Sequence, residues 1–171
     1  MSLLGSAEEF KKYVFECAVR NGYGEYKRTV VISDGATWIR NMCDEIFPDA
    51  VQILDFFHLK ENIYSFGKYI FKNDAAQYVP WAEGIAGLLK KSEGGQALSE
   101  LQKYKNKTYS DGLVNPYTYI TNNINKIDCG GYKKAGYPIG SGAIESGNKS
   151  VLQRRCKQAG MQWDVTSAQY L

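Results

Sequence analysis

Residues 29–58 read TVVISDGATWIRNMCDEIFPDAVQILDFFH, two short apolar runs with an amphipathic stretch between them. Thr29 to Ser33 is rich in β-branched residues, the pattern of a strand buried on both faces. Ala36 to Phe47 then sets Ile39, Met42, Cys43 and Ile46 along one side, which predicts an amphipathic helix. Pro48-Asp49 ends that helix, and Val51 to Leu54 supplies a second apolar strand. Strand, helix and strand in so short a span form a βαβ unit, expected to be parallel and right-handed. Ligands of such sheets collect beyond the carboxyl ends of the strands. Asp34 and Asp55 stand at those two ends.

Each aspartate has a local alternative, because Asp commonly caps the turn or helix that follows it. The Asp34-Gly35 context favours a functional reading, while for Asp55 both readings stay open. His58 follows Asp55 by three positions and is the single histidine of the chain. That count excludes a multi-histidine metal site and a Cys-His zinc finger. A lone histidine after an apolar strand is more often a satisfied structural group than a catalyst, and its spacing from Asp55 sets the pair at the periphery of a site. No G-x-S-x-G elbow is present, which disfavours a Ser-His-Asp hydrolase.

Composition bounds the reading without deciding it. The chain has 171 residues, 44% hydrophobic and 23% charged, enough for one domain with a real core. A net charge of +3 is too mild to announce a nucleic-acid partner. Cys17, Cys43, Cys129 and Cys156 are scattered with no C-x-x-C pair, so they read as reduced thiols of a cytosolic protein. Cys17 and Cys43 fall on apolar helix faces and are expected in the core. No run approaches the roughly 18 apolar residues of a membrane span.

Outward from the βαβ unit, Phe10, Tyr13, Val14, Cys17 and Ala18 predict a helix over about residues 6–21, closed by Gly22. From Leu59 to about Asn125 the spacing is mainly helical, with breaks expected near Pro80, Gly94-Gly95 and Asp111 to Pro116. Ile120, Ile124 and Ile127 indicate one more helix. The basic stretch Lys103 to Lys107 reads as a solvated face, with specific DNA contact as the alternative. Cys129 to Gly142 is a glycine-rich loop, but no Gly-Lys-Ser/Thr follows it and no apolar strand precedes it, so neither a Walker A loop nor a dinucleotide fingerprint fits. Ser141 is a good N-cap for a helix from Gly142 to about Gln158. Glu145 then lies in its first turns, either as a site residue or as an ordinary acid favoured by the helix dipole. Small neighbours, Gly142, Ala143, Ser146 and Gly147, leave room for another backbone to approach. Lys149, Arg154, Arg155 and Lys157 on the same helix suit a phosphate backbone, or form a solvated face. Two strand-end aspartates and a helix-start glutamate can converge in space, and converging carboxylates hold divalent ions that drive phosphoryl transfer.

Taken together, Ser33-Asp34-Gly35-Ala36-x-Trp38-Ile39, Phe47-Pro48-Asp49-Ala50, Ile53-Leu54-Asp55-x-x-His58 and Ile139-Gly140-Ser141-Gly142-Ala143-Ile144-Glu145-Ser146 resemble a bacterial insertion-sequence DDE transposase of the ISKra/ISLre type, a relative of the Mutator-like group. The tail Gln153-Arg154-Arg155-Cys156-Lys157-Gln158-Ala159-Gly160-Met161-x-Trp163 fits the same pattern, and the resemblance spans about residues 8–171. It implies an α/β, RNase H-like core with a mainly α-helical insertion, divided as a partial βαβ region with N-terminal helix at 1–58, the insertion at 59–128, and the glycine-rich loop with a catalytic helix at 129–171. It also implies that Asp34 and Glu145 are the second and third acids of a triad binding Mg²⁺ or Mn²⁺. Asp55 and His58 match an accessory signature, and Lys149, Arg154, Arg155 and Lys157 would contact DNA. The implied partners are transposon ends and target DNA, with a homo-oligomer in the full-length protein, no membrane, and a bacterial cytoplasmic, nucleoid-associated location.

The family's first acid and first three strands precede the N-terminal helix, and residues 1–7 hold no aspartate or glutamate. The expectation is therefore an incomplete core, a fragment inactive by itself in strand transfer. Two other readings remain at this stage: a Mg²⁺-dependent phosphotransferase or phosphatase built on Asp34 and Asp55, and a non-catalytic DNA-binding module using the basic residues near the C-terminus.

Overall fold

The computed structural model describes residues 6–109 and 112–142. Glu145, Lys149, Arg154, Arg155, Lys157 and Cys156 lie outside the described residues, as does the expected helix beyond Gly142. The described chain is α/β and mostly helical, seven α-helices around a two-stranded parallel sheet. Strand β1 is Val30–Ser33 and β2 is Val51–Leu54, in register from Val30 opposite Val51 to Ser33 opposite Leu54. Helix α2, Thr37–Ile46, connects them, as the alternating apolar runs predict. The sheet departs from expectation in burial. Ile53 and Leu54 of β2 are 1% exposed, but all four residues of β1 are only half-buried. Among the described residues β1 pairs along one edge alone, and a groove opens over Val31 and Ile32.

Helix α1, Ala7–Arg20, begins at a capping box: the Glu9 backbone N–H donates to Ser6 Oγ at 3.2 Å, and the Ser6 N–H donates to Glu9 Oε2 at 2.7 Å. It ends at Asn21, one residue before the expected glycine. Its apolar stripe stays largely outside the core. Phe10, Phe15 and Val19 are exposed, and so is Cys17, contrary to its expected burial. The helix touches the βαβ unit through edges only: Phe10 against Trp38 with ring centroids 5.9 Å apart, Phe15 near Phe47 at 6.3 Å, and Lys11 paired with Glu45 at 2.8 Å.

The core lies instead under α3 (Phe56–Ile70) and α4 (Ala75–Lys90). Leu59, Ile63 and Phe66 repeat at helical spacing on α3, while Ala82, Ile85, Ala86 and Leu89 do so on α4, and all are buried. Helix α5, Gly94–Leu101, adds Ala97 and Leu101. Each fully buried Ile, Leu or Phe contributes about 1.5–3 kcal/mol relative to exposure. Pro80 does not break this region as expected; it sits inside α4. Its missing N–H costs one backbone bond, which the buried α4 stripe outweighs. The turn falls earlier, where Lys72 and Asn73 take φ of 50° and 65° and the Asp74 side chain caps α4. A second turn at Lys91–Glu93 precedes Gly94, close to the break expected there.

Helix α6 is Pro116–Asn122, capped by Asn115 and anchored by Ile120, which is fully buried. Asn123 ends it, so Ile124 starts a short 3-10 turn rather than continuing one helix. The expected loop from Cys129 opens with a helix as well, α7 at Cys129–Lys134. Asp128 explains the difference: its carboxylate accepts the Gly131 N–H at 3.0 Å and a hydrogen bond from Ser92 Oγ, so the glycines are held in a first turn. Among the described residues, no helix is long and apolar enough to cross a membrane.

Candidate functional site

The two strand ends lie side by side because β1 and β2 are parallel and in register. The Asp55 N–H donates to the Ser33 carbonyl at 2.8 Å, the last rung of the ladder, and Asp34 follows Ser33 on the neighbouring strand. A groove of about 710 Å³ starts at this rung. Polar Asp34, Asp55, His58, Glu61 and Ser141 line it together with apolar Phe10, Val14, Trp38, Met42 and Phe47.

Asp55 is 6% exposed and heavily engaged. Oδ1 accepts the Phe57 N–H at 2.9 Å and the His58 N–H at 3.4 Å, capping α3. Oδ2 accepts the Ser141 N–H at 3.2 Å and a hydrogen bond from the Ser141 hydroxyl. The Asp-x-x-His spacing is thus the spacing of an N-cap to the third residue of its helix. Asp55 meets the backbone of His58, while the His58 ring, less than half exposed, faces the groove with Nδ1 3.9 Å from Glu61 Oε2. Of the two readings left open for Asp55, the cap is the one its hydrogen bonds express.

Asp34 differs. It is exposed, and Oδ1 accepts the Ala36 N–H at 2.9 Å in a local turn. Oδ2 has no hydrogen-bond partner among the described residues. The turn depends on Gly35, whose φ of +79° is costly for other residues. A Cβ there would lie 2.6 Å from Leu54 Cδ1 and 3.2 Å from Asn123 Oδ1.

The segment Tyr137–Ser141 crosses to the same edge. Tyr137 Oη accepts from Arg28 at 2.9 Å, the Ile139 carbonyl accepts the Phe56 N–H at 2.9 Å, and Ser141 closes on Asp55. Gly140 permits the approach, since a Cβ would come within 2.4 Å of the Phe57 ring and 3.1 Å of Asp55 Oδ1. The helix that Ser141 is expected to cap lies outside the described residues. Glu145 and the four basic residues lie outside the described residues.

Sequence reasoning missed Tyr119. Its hydroxyl donates to the Asp34 carbonyl from α6, 85 positions away. Burial and the nearby Asp34 and Asp55 charges push its pKa up to about 12, against a hydrogen bond from Asn62 that opposes the shift. It is therefore a neutral donor throughout the physiological range. No periodicity marks such a residue; the only hint was that Tyr119 shares a predicted helix with core-facing Ile120.

Among the described residues, no group of three or more His, Cys, Asp or Glu side chains could hold a metal. Asp34 lines the groove as a single carboxylate, an oxygen donor of the kind hard cations take. Both Asp55 oxygens are engaged, one by the start of α3 and one by Ser141. No family model, curated protein or solved structure matches the chain.

Proposed function

We propose that this chain carries two of the three carboxylates of an RNase H-like DNA transposase core, acting in metal-dependent phosphodiester cleavage and strand transfer at transposon ends. One observation supports the reading above others: the Ile139–Ser141 segment is fastened to Asp55 at the strand end beside Asp34. A helix continuing from Gly142 would carry Glu145 about one turn, or about 5 Å, beyond that attachment. Asp34 and Glu145 are the residues proposed to hold Mg²⁺ or Mn²⁺. The ions, once bound, would supply an activated nucleophile and stabilise the leaving oxygen. Asp55 fastens the loop, Ser141 completes the fastening, and Lys149, Arg154, Arg155 and Lys157 hold the DNA backbone. Strand transfer needs a further acid beside these two.

The engagement of both Asp55 oxygens tells against a phosphatase using Asp34 and Asp55 as its working pair. The test is Mn²⁺ titration of the full chain with paramagnetic broadening read residue by residue. Broadening centred on both Asp34 and Glu145, abolished by Asp34→Asn or Glu145→Gln, is the expected result. Broadening at Asp34 that survives Glu145→Gln overturns the assignment. Gel-shift binding to duplex DNA should weaken about uniformly across sequences in Arg154→Ala plus Arg155→Ala.

A further inference from the structure

We propose that Tyr119 and Asn123 are positioning residues for the Asp34 carboxylate, through which the helical region between β2 and the 137–141 segment controls the site. The inference rests on Asp34 being a ligand, as proposed above, but its geometry is independent of that role.

The Asp34–Gly35 turn is gripped from two sides by one helix end. Tyr119 on α6 donates its hydroxyl to the Asp34 carbonyl, a group just past the last rung between β1 and β2. Asn123, at the C-cap of α6, is 5% exposed. Its Nδ2 donates to the Tyr119 carbonyl at 2.9 Å, which fixes the amide on the helix. Both amide atoms then stand 3.2 to 3.3 Å from where a Cβ on Gly35 would project. Asp55 and Asn123 are the buried polar side chains of the described residues, and each flanks this turn. A buried amide held by its own helix and packed on a glycine is a rigid stop. A phenol tied to the carbonyl of the preceding residue is a tether. With the Ala36 N–H bonded to Oδ1, these contacts leave the Asp34 backbone little freedom. Working side chains need positional accuracy of about 0.5 Å, and such accuracy comes from supporting groups anchored on rigid elements. Here the anchor is α6, held in the core by Ile120 and Pro116.

The experiment compares the full chain with Tyr119→Phe and Asn123→Ala by amide hydrogen exchange and Mn²⁺-induced broadening. Tyr119→Phe keeps the ring and its packing, so the fold should survive. Exchange at the Ala36 N–H should rise about tenfold in that variant, the loss of one net hydrogen bond, while Leu89 in α4 is unmoved. Mn²⁺ binding should weaken severalfold, with broadening at Asp34 and Glu145 reduced together and not abolished. An unchanged Ala36 rate overturns the proposal, as does a rise shared equally by Leu89, which would mark a merely structural role. If wild-type Asp34 shows no Mn²⁺ broadening yet Ala36 exchange rises in Tyr119→Phe, the grip stands and the ligand assignment fails.

Discussion

Replacing Asp55 by alanine separates a fastening residue from a metal ligand, because the two roles predict opposite signs. As a fastener, Asp55 loses its cap on α3, worth about 1 kcal/mol. It also removes the carboxylate, 6% exposed, that accepts from the Ser141 N–H and hydroxyl. Hydrogen bonds to a charged group contribute about 1.5–3 kcal/mol each, less where the freed donor can reach water. The cap and the two bonds, each bond taken at its low end because Ser141 is half-buried, sum to a destabilisation of about 4 kcal/mol. A cluster of ligand acids, in contrast, is strained by like charge without its cation, so removing a member relieves repulsion and stabilises the metal-free chain. Urea unfolding in the presence of a chelator reads the sign directly. Asp55→Asn should recover about 1 kcal/mol by restoring the cap, but its amide would face the Ser141 N–H. A double-mutant cycle with Ser141→Ala isolates the fastening, with an expected coupling above about 1 kcal/mol. A loss below about 1 kcal/mol for Asp55→Ala, or a coupling near zero, would refute the reasoning.

Three further outcomes follow from the same geometry. Gly35→Ala should cost about 2–4 kcal/mol in urea unfolding, combining a left-handed φ with overpacking against Leu54 and Asn123; Asp34→Asn, at an exposed position, should cost under about 1 kcal/mol. Tyr119 has a folded pKa of about 12 against an ordinary 10.0, so its contribution is complete below pH 10 and is lost as the pH rises towards 12. Alkaline unfolding compared with Tyr119→Phe checks this, the variant lacking that part of the pH dependence. In a Cys156→Ser background, thiol alkylation at mildly alkaline pH should modify exposed Cys17 first. Cys43 and Cys129 should react only on unfolding, since both are buried, and burial raises the Cys43 pKa and pushes that of Cys129 up to about 11.

Much of the local architecture was legible because local rules govern it. The β-branched run before Asp34, the amphipathic stretch after it and the second apolar run produce a parallel βαβ unit by periodicity and length alone. Asp55 stands where its capping preference predicts, at the N-cap of α3. Where local rules conflicted, packing chose. Pro80 stays inside α4 because four buried side chains on that helix outweigh one missing backbone bond. Cys17 lies on an apolar stripe and is nevertheless exposed, since a stripe shows which side of a helix is apolar and not whether another element covers it.

The sequence by itself therefore determined the strand ends and the acids that stand on them, through contacts between residues near in the chain. Only the tertiary structure decided what each acid touches. Ser141 reaches Asp55 across 86 positions and Tyr119 reaches Asp34 across 85, and such contacts leave no trace in spacing or composition. They turn one of two similar aspartates into a buried fastener and hold the backbone of the other, which stays exposed, beside the groove.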